Sequence, residues 1–560
     1  MANLYWDPSG TRVDGIISGG SGFASNAETY WTNTLGDAAL TPVEDDTLYF
    51  TGLSGDVMIG DGWTPERNLY IQTDGYRFMG GAIELDNDSS YDVVYFQIGD
   101  RDGPAITFFV ENSFTAMNST NNALGFRGAV GNGTASTVQF TGTTDVRQFA
   151  LSNNIEFQNN GIVEATSGLF FYNDSYFNNL GTVITSSIYL SDQSFFENHT
   201  TVEAVVRRSE GTFINHENAF IGTGTSPAFS LGASDADPFL LINRGQILGD
   251  IELRYSRTEI RDHQSEVRLE GGHVVGDITL GNDNDIFHAI GDATYAGSVF
   301  AGTGDDVLTG ARQDDDFFGG SGNDTIDGLS GDDTISGGDG DDVIFGRSGY
   351  DSIRANNGDD TINGGTGRDT IIGGEGDDLI VGETGSDSLS GNAGNDSIYG
   401  NEGSDSLYGH NGDDMLYGGF GHDQMIGGNG ADKLRGANGN DTLNGGLGAD
   451  TLNGGAGNDV FEFTYVSHLT GPTGAMETIE SFVSGSDIID LSAIDAVAGG
   501  IDDAFTFRGT DTYTGTAGEI RIFERPDGLV LRFDLDGDRT TDRTLLVQDV
   551  TSLSETDFIL

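Results

Sequence analysis

Between residues 301 and 462 an aspartate recurs at every ninth position: Asp306, Asp315, Asp324, Asp333, Asp342, Asp351, Asp360, Asp369, Asp378, Asp387, Asp396, Asp405, Asp414, Asp423, Asp432, Asp441, Asp450 and Asp459. Carboxylates held at a fixed period are metal ligands or titrating groups, and their neighbours decide which. The stretch is 18 units of nine residues, for example GGSGNDTID at 319–327 and GGAGNDVFE at 454–462. The fourth position is Gly in 17 of the 18, with Gln313 the exception, and the eighth is always apolar. Glycines at positions one, two and four permit positive φ and close backbone approach, so six residues can close a tight, carbonyl-rich turn. The last three residues then form a short strand whose eighth side chain points inward. Two units make one coil, and the sixth-position carboxylates face the gaps between stacked turns. Backbone carbonyls such as those of Gly320, Gly322, Gly338, Gly340, Gly374 and Gly376 complete an all-oxygen cage. Such a cage suits Ca²⁺, which takes 6–8 oxygens, better than zinc or copper. Alternate units share a side, which gives up to about 16 interior sites. A flexible Gly/Asp linker would not keep Ile, Leu or Phe at every eighth position.

The pattern G-G-x-G-x-D-x-U-x resembles the β-roll of RTX (repeats-in-toxin) proteins, which bacteria export by type I secretion. The resemblance implies that each calcium takes ligands from two successive turns on one side. Asp324 then shares a site with Asp342, and Asp333 with Asp351. Two units depart from the pattern: 310–318 has Gln313 and no second Gly, and 355–363 begins with Ala355. Their sites are the doubtful ones.

Positioning these turns requires an all-β chain. Residues 1–285 show no sustained helical period and read as a β-helix-like domain, followed by the roll at 286–462 and a non-repeating β cap with secretion-signal region at 463–560. In the first domain Phe-x-Asn anchors recur at Phe157/Asn159, Phe177/Asn179, Phe196/Asn198 and Phe213/Asn215, with spacings of 20, 19 and 17 residues. Those spacings fit the coils of a parallel β-helix with Phe stacked inside and Asn stacked at a turn. A β-sandwich is the alternative. LGDIEL at 248–253 is echoed at 275–287 and 296–308 with no linker, which predicts one solenoid running on into the roll. The N-terminal segment loosely resembles passenger domains of bacterial surface adhesins. The last hundred or so residues are similar to the C-terminal segment of serralysin-type metalloproteases. An open solenoid end exposes strand edges and core, so a cap is physically required. In it Asp534, Asp536, Asp538 and Asp542 either hold another Ca²⁺ or form a solvated loop, because DLDGDR departs from EF-hand spacing.

Composition narrows the function. The net charge is −64, from 89 acidic and 25 basic residues, which repels nucleic acid and anionic membranes. Sixteen Ca²⁺ would carry about +32 and cancel half of it. There are no cysteines, so calcium takes the role that disulfides fill in other extracellular proteins. The start MANLYWDPSG lacks the basic and apolar regions of a Sec signal. No apolar run approaches the ~20 residues of a membrane helix. The ending, Asp557 before Phe558-Ile559-Leu560, resembles a type I export signal.

Catalytic motifs are sparse. A zincin needs His-Glu-x-x-His, and the nearest match, His216-Glu217-Asn218-Ala219-Phe220, puts Phe where the second His must stand. No Cys nucleophile or G-x-S-x-G elbow occurs. Alginate epimerases also join a β-helix to RTX modules, and Arg207, Arg208, His216, Arg254, Tyr255, Arg257, Arg261 and His263 are the groups such an enzyme could use. The N-terminal part has no Lys and no Asp-Pro-His motif, which argues against it. The sequence therefore predicts a secreted, calcium-dependent structural protein of the bacterial surface: a surface-layer subunit, adhesin or matrix component. Its expected partners are calcium, other copies of itself or surface glycans, and the type I export machinery. A polysaccharide epimerase or lyase is the runner-up.

Overall fold

In the computed structural model the chain divides into two units, Met1–Phe300 and Ala301–Leu560. Strands are placed from Leu4 onward. Side chains are described for Phe126 and for residues 138–140, 148–152, 155–172, 175–190, 194–204, 212–222, 228–230, 239–253, 264–471, 475–496 and 504–560. Apart from two short 3₁₀ turns, Val466–His468 and Glu555–Asp557, the regular structure of the described residues is all β.

In the first unit successive coils pair in parallel, which excludes the sandwich. Ile155–Asn159 pairs with Tyr176–Asn179, that strand with Thr182–Asn198, and Thr182–Asn198 with Thr201–Asn215. The register places Phe157, Phe177, Phe196 and Phe213 one above another, all fully buried. Their rings stack at 5.2, 4.9 and 4.6 Å between centroids, within 15° of parallel. The asparagines two residues on stack as well. Asn159 donates to Asn179, Asn179 to Asn198, Asn198 to Asn215 and Asn215 to Asn243, at 2.8–2.9 Å. Each link satisfies a buried amide that would otherwise cost free energy. Asn198 Oδ1 also accepts from Thr200 N–H, which closes an Asx turn at the corner of the coil. The parallel β-helix with its Phe core and Asn corner is therefore as the spacing predicts.

In the roll of the second unit, strands from Val307–Thr309 to Thr442–Leu447 pair in parallel with the strand 18 residues on, as Thr370–Glu375 does with Ser388–Ala393. Two nine-residue units thus make one coil. The eighth-position side chains form two fully buried rows, one through Ile326, Ile344, Ile362 and Ile380 and the other through Met425 and Leu443. The expected three-residue strand and six-residue turn need correction. Most strands run six residues, through positions seven to nine and on into one to three of the next unit, which leaves three residues for the turn. The ladder continues because the glycines let adjacent coils close up. A Cβ on Gly374, where φ is +141°, would lie 1.7 Å from the Asn356 carbonyl oxygen. Non-glycine residues at the second position, such as Asn356 and Glu383, still take positive φ, a conformation disfavoured for them.

The predicted cap is present. Leu452 of the last full coil pairs with Ile479 of Glu477–Glu480, which pairs in turn with Arg543–Gln548. Arg543–Gln548 is the third strand of an antiparallel meander with Glu519–Arg525 and Gly528–Asp534. Beside it, Phe461 pairs with Ile489, and Ile489 with Phe558. The meander and the tail together cover the strand edges that a parallel coil leaves open.

Candidate metal centre: two carboxylate ladders

Each sixth-position aspartate of the roll is at most 3% exposed. One carboxylate oxygen is committed to structure: Asp342 N–H donates to Asp360 Oδ1, Asp360 to Asp378 and Asp378 to Asp396, at 2.8–2.9 Å. The same 18-residue link joins Asp324 to Asp342 and Asp333 to Asp351, the pairs expected to share calcium. The other oxygen, Oδ2, is buried without a donor in every such aspartate from Asp324 to Asp441. Burial, reinforced by neighbouring carboxylates, pushes Asp324 to about 7 and Asp333 to about 8, although a backbone N–H pulls the other way on each. Repeated buried carboxylate oxygens without donors are what a cation must satisfy.

The first glycine of each unit makes room at that oxygen. A Cβ on Gly319 would sit 2.3 Å from Asp324 Oδ2 and 2.5 Å from the Gly337 carbonyl oxygen, one coil on. At Gly409 the neighbours are Asp414 Oδ2 and the Gly427 carbonyl, at 2.3 and 2.5 Å. At these units the cradle is lined by oxygens of two successive same-side turns, and it exists only because position one has no side chain. This carbonyl was not among those expected from the sequence. The carbonyl oxygens of Gly320 and Gly322 lie close to the next coil, where a Cβ on Gly338 or Gly340 would come within 2.0 and 2.3 Å of them. Of the two departing units, 355–363 has a methyl group at position one, and in 310–318 the Ala311 N–H donates to Asp315 Oδ2 at 2.8 Å. An all-oxygen lining of carboxylate and carbonyl fits Ca²⁺, held by the sixth-position Oδ2 atoms and these first-position carbonyls. When bound, the ion would neutralise charge at these buried oxygens.

The sequence reading missed two features. The inner ladder does not stop at Asp459. Asp450 N–H donates to Glu477 Oε2 at 3.0 Å and Asp459 N–H to Asp487 Oδ1 at 3.1 Å, so two buried cap residues take the places of the next repeat aspartates. Burial next to Asp450 pushes Glu477 up to about 9. The signal was present in Glu477-Thr478-Ile479 and Gly485-Ser486-Asp487-Ile488-Ile489, remnants of G-x-D-x-U, but offsets of 27 and 28 residues depart from the 18-residue coil spacing. The second is an outer ladder at position five running in the opposite sense. Asp377 N–H donates back to Asp359 Oδ1, and Asn395 N–H to Asp377 Oδ1, at 2.7–2.8 Å.

In the cap, Asp534, Asp536 and Asp542 come together, with carboxylate oxygens within 4.8 Å of one another, whereas Asp538 turns to Thr540. Both Asp534 oxygens accept backbone N–H groups, from Gly537 and Arg539. Asp557 of the tail is buried and accepts from Ser484, Gly485 and Ser554. Of the residues considered for polysaccharide chemistry, the side chains of Arg207, Arg208, Arg254, Tyr255, Arg257, Arg261 and His263 lie outside the described residues. His216 is described: it follows the strand Thr201–Asn215 and stacks on His199 rather than facing Phe220.

Parallel coils with oxygen-lined gaps define a calcium-binding β-solenoid. The family model for the RTX calcium-binding nonapeptide repeat (4 copies) matches residues 295–326, 318–353, 354–389, 390–425 and 426–461. This part of the chain is an RTX β-roll, and its repeats bind Ca²⁺. Comparison with curated proteins finds no match. Among the described residues no helix is long and apolar enough to cross a membrane.

Proposed function

We propose that this is a secreted structural protein of the bacterial cell surface, a surface-layer subunit, adhesin or matrix component, whose folding and assembly are driven by calcium. The observation behind this reading is the row of buried Oδ2 atoms without donors. A chain of charge −64 carrying it folds poorly where calcium is scarce and readily where calcium is millimolar. That contrast favours export as an unfolded chain, by a type I route, with folding outside the cell. Outward-facing carboxylates such as Asp359 and Asp377 repeat along the roll and offer a surface on which Ca²⁺ can bridge copies.

Electron microscopy of the purified chain in millimolar calcium tests the assembly. Sheets or filaments that disperse on chelation are expected; isolated particles in calcium would count against self-assembly. An assay on alginate and other uronate polymers covers the enzymatic reading. No turnover is expected. Turnover abolished by Arg254→Ala, Arg257→Ala and His263→Ala together would make the N-terminal unit catalytic.

A further inference from the structure

Coil stacking in the first unit brings together a ligand set unlike that of the roll. With Asn198 seated on Asn215, the following residues His199 and His216 are also superposed, and their rings lie 3.8 Å apart between centroids at 11°. Glu197, near the end of the strand Thr182–Asn198, reaches both. Its Oε2 is 3.4 Å from His199 Nε2 and 3.7 Å from His216 Nε2. These separations are long for hydrogen bonds. They are close to the ~3.3 Å between two ligands of one tetrahedral zinc with bonds of about 2.0–2.1 Å.

His216 Nε2 is shut off from solvent and has no hydrogen-bond partner, an unsatisfied state that a bound metal would relieve. The surroundings suit a cation. The nearby cation, Arg244 of the next coil, is paired at 2.8 Å with Glu270.

We propose that Glu197, His199 and His216 form a Zn²⁺ site separate from the calcium sites of the roll. Two imidazole nitrogens and one carboxylate make a borderline-soft set that selects zinc over calcium, with a fourth position left for water. The two rings lie within 11° of parallel, so they must tilt well away from the stack for both in-plane lone pairs to meet one ion. The ion would tie two successive coils together on their outer face.

The test uses the full chain in millimolar Ca²⁺, so that the roll is saturated before zinc is added. Calorimetric titration with Zn²⁺, and visible absorption of Co²⁺ as its stand-in, should show one site per chain with tetrahedral Co²⁺ bands. His216→Ala and His199→Ala should each abolish both signals while the calcium-induced circular dichroism is unchanged. X-ray absorption at the zinc edge of the wild type provides a readout that does not depend on how the variants fold, and imidazole scattering is expected. A wild type that takes up no zinc in calcium, uptake that persists in both histidine variants, or an oxygen-only zinc shell would each overturn the proposal.

Discussion

Each sixth-position aspartate divides its work between two oxygens: Oδ1 joins coils, and Oδ2 waits for a cation beside a glycine. Asp396 is linked on both sides, to Asp378 and to Asp414, so Asp396→Ala should disturb two neighbouring gaps and raise the calcium midpoint of folding in a circular-dichroism titration. Asp459 is the last aspartate of the array. Its link onward to Asp487 predicts a comparable shift for Asp459→Ala. Gly391→Ala should act like loss of the carboxylate, since the new Cβ would lie 2.0 Å from Asp396 Oδ2. Ala355→Gly should do the reverse, opening one of the two position-one sites that carry a methyl group, the other being Ala301, and lowering the midpoint. Equal midpoints for wild type and Ala355→Gly would show that the first glycine serves the turn and not the ion.

These carboxylates also set a pH dependence whose sign changes with calcium. Unfolded, they titrate near 3.9. In the folded, metal-free roll burial raises them, to about 6 at Asp342 and about 8 at Asp333. A raised folded pKa contributes stability that is fully present below the unfolded value and is lost as pH rises through the folded one. In chelator, β content should therefore be greatest near pH 4 and fall between about pH 6 and 8. In calcium the trend inverts, because protons compete with the ion, and the calcium midpoint should rise as pH falls. Circular dichroism in chelator that is flat from pH 4 to 8 would contradict the first half.

At the scale of the element, the two units solve one stacking problem with different chemistry. In the β-helix the corner is neutral: an Asn ladder satisfies its own amides and needs no ion. Asn198→Ala removes a fully buried member that donates to Asn215 and accepts from Asn179 and Thr200. Its loss should cost roughly 1–3 kcal/mol, the penalty for stranded buried partners, read as a lower denaturant midpoint for the N-terminal unit. That loss should be the same in calcium and in chelator. In the roll one inward apolar side chain per nine residues, worth about 2 kcal/mol when buried, is too little to order a unit that also buries a carboxylate. The cap must therefore continue the ionic ladder as well as cover the edge. Replacing Glu477 by Gln and Asp487 by Asn together should leave the meander folded but fray the last coils, seen as faster amide exchange at 442–462.

For the whole molecule, calcium is the control. Chelation should remove most of the roll's β signal, and millimolar Ca²⁺ should restore it cooperatively, since binding free energy is folding free energy here. Unchanged β content in chelator would defeat this account. By itself the sequence determined the roll: its 18-residue register, the buried eighth positions and the row of inner aspartates all follow from an unbroken nine-residue period, in which each coil's neighbour is a copy of itself. The Phe and Asn rows of the β-helix were legible for the same reason, despite spacings of 20, 19 and 17. Only the tertiary structure decided what happens where the period fails or where contacts run between coils. It lengthened the strands, because glycine backbones approach more closely than local turn geometry reveals. It gave the first glycine its place beside the carboxylate of its own turn, and it brought Glu477 and Asp487 onto the ladder across loops of irregular length. It also set His216 on His199 under the eye of Glu197, since a side chain's neighbours in a solenoid lie one coil away rather than along the chain.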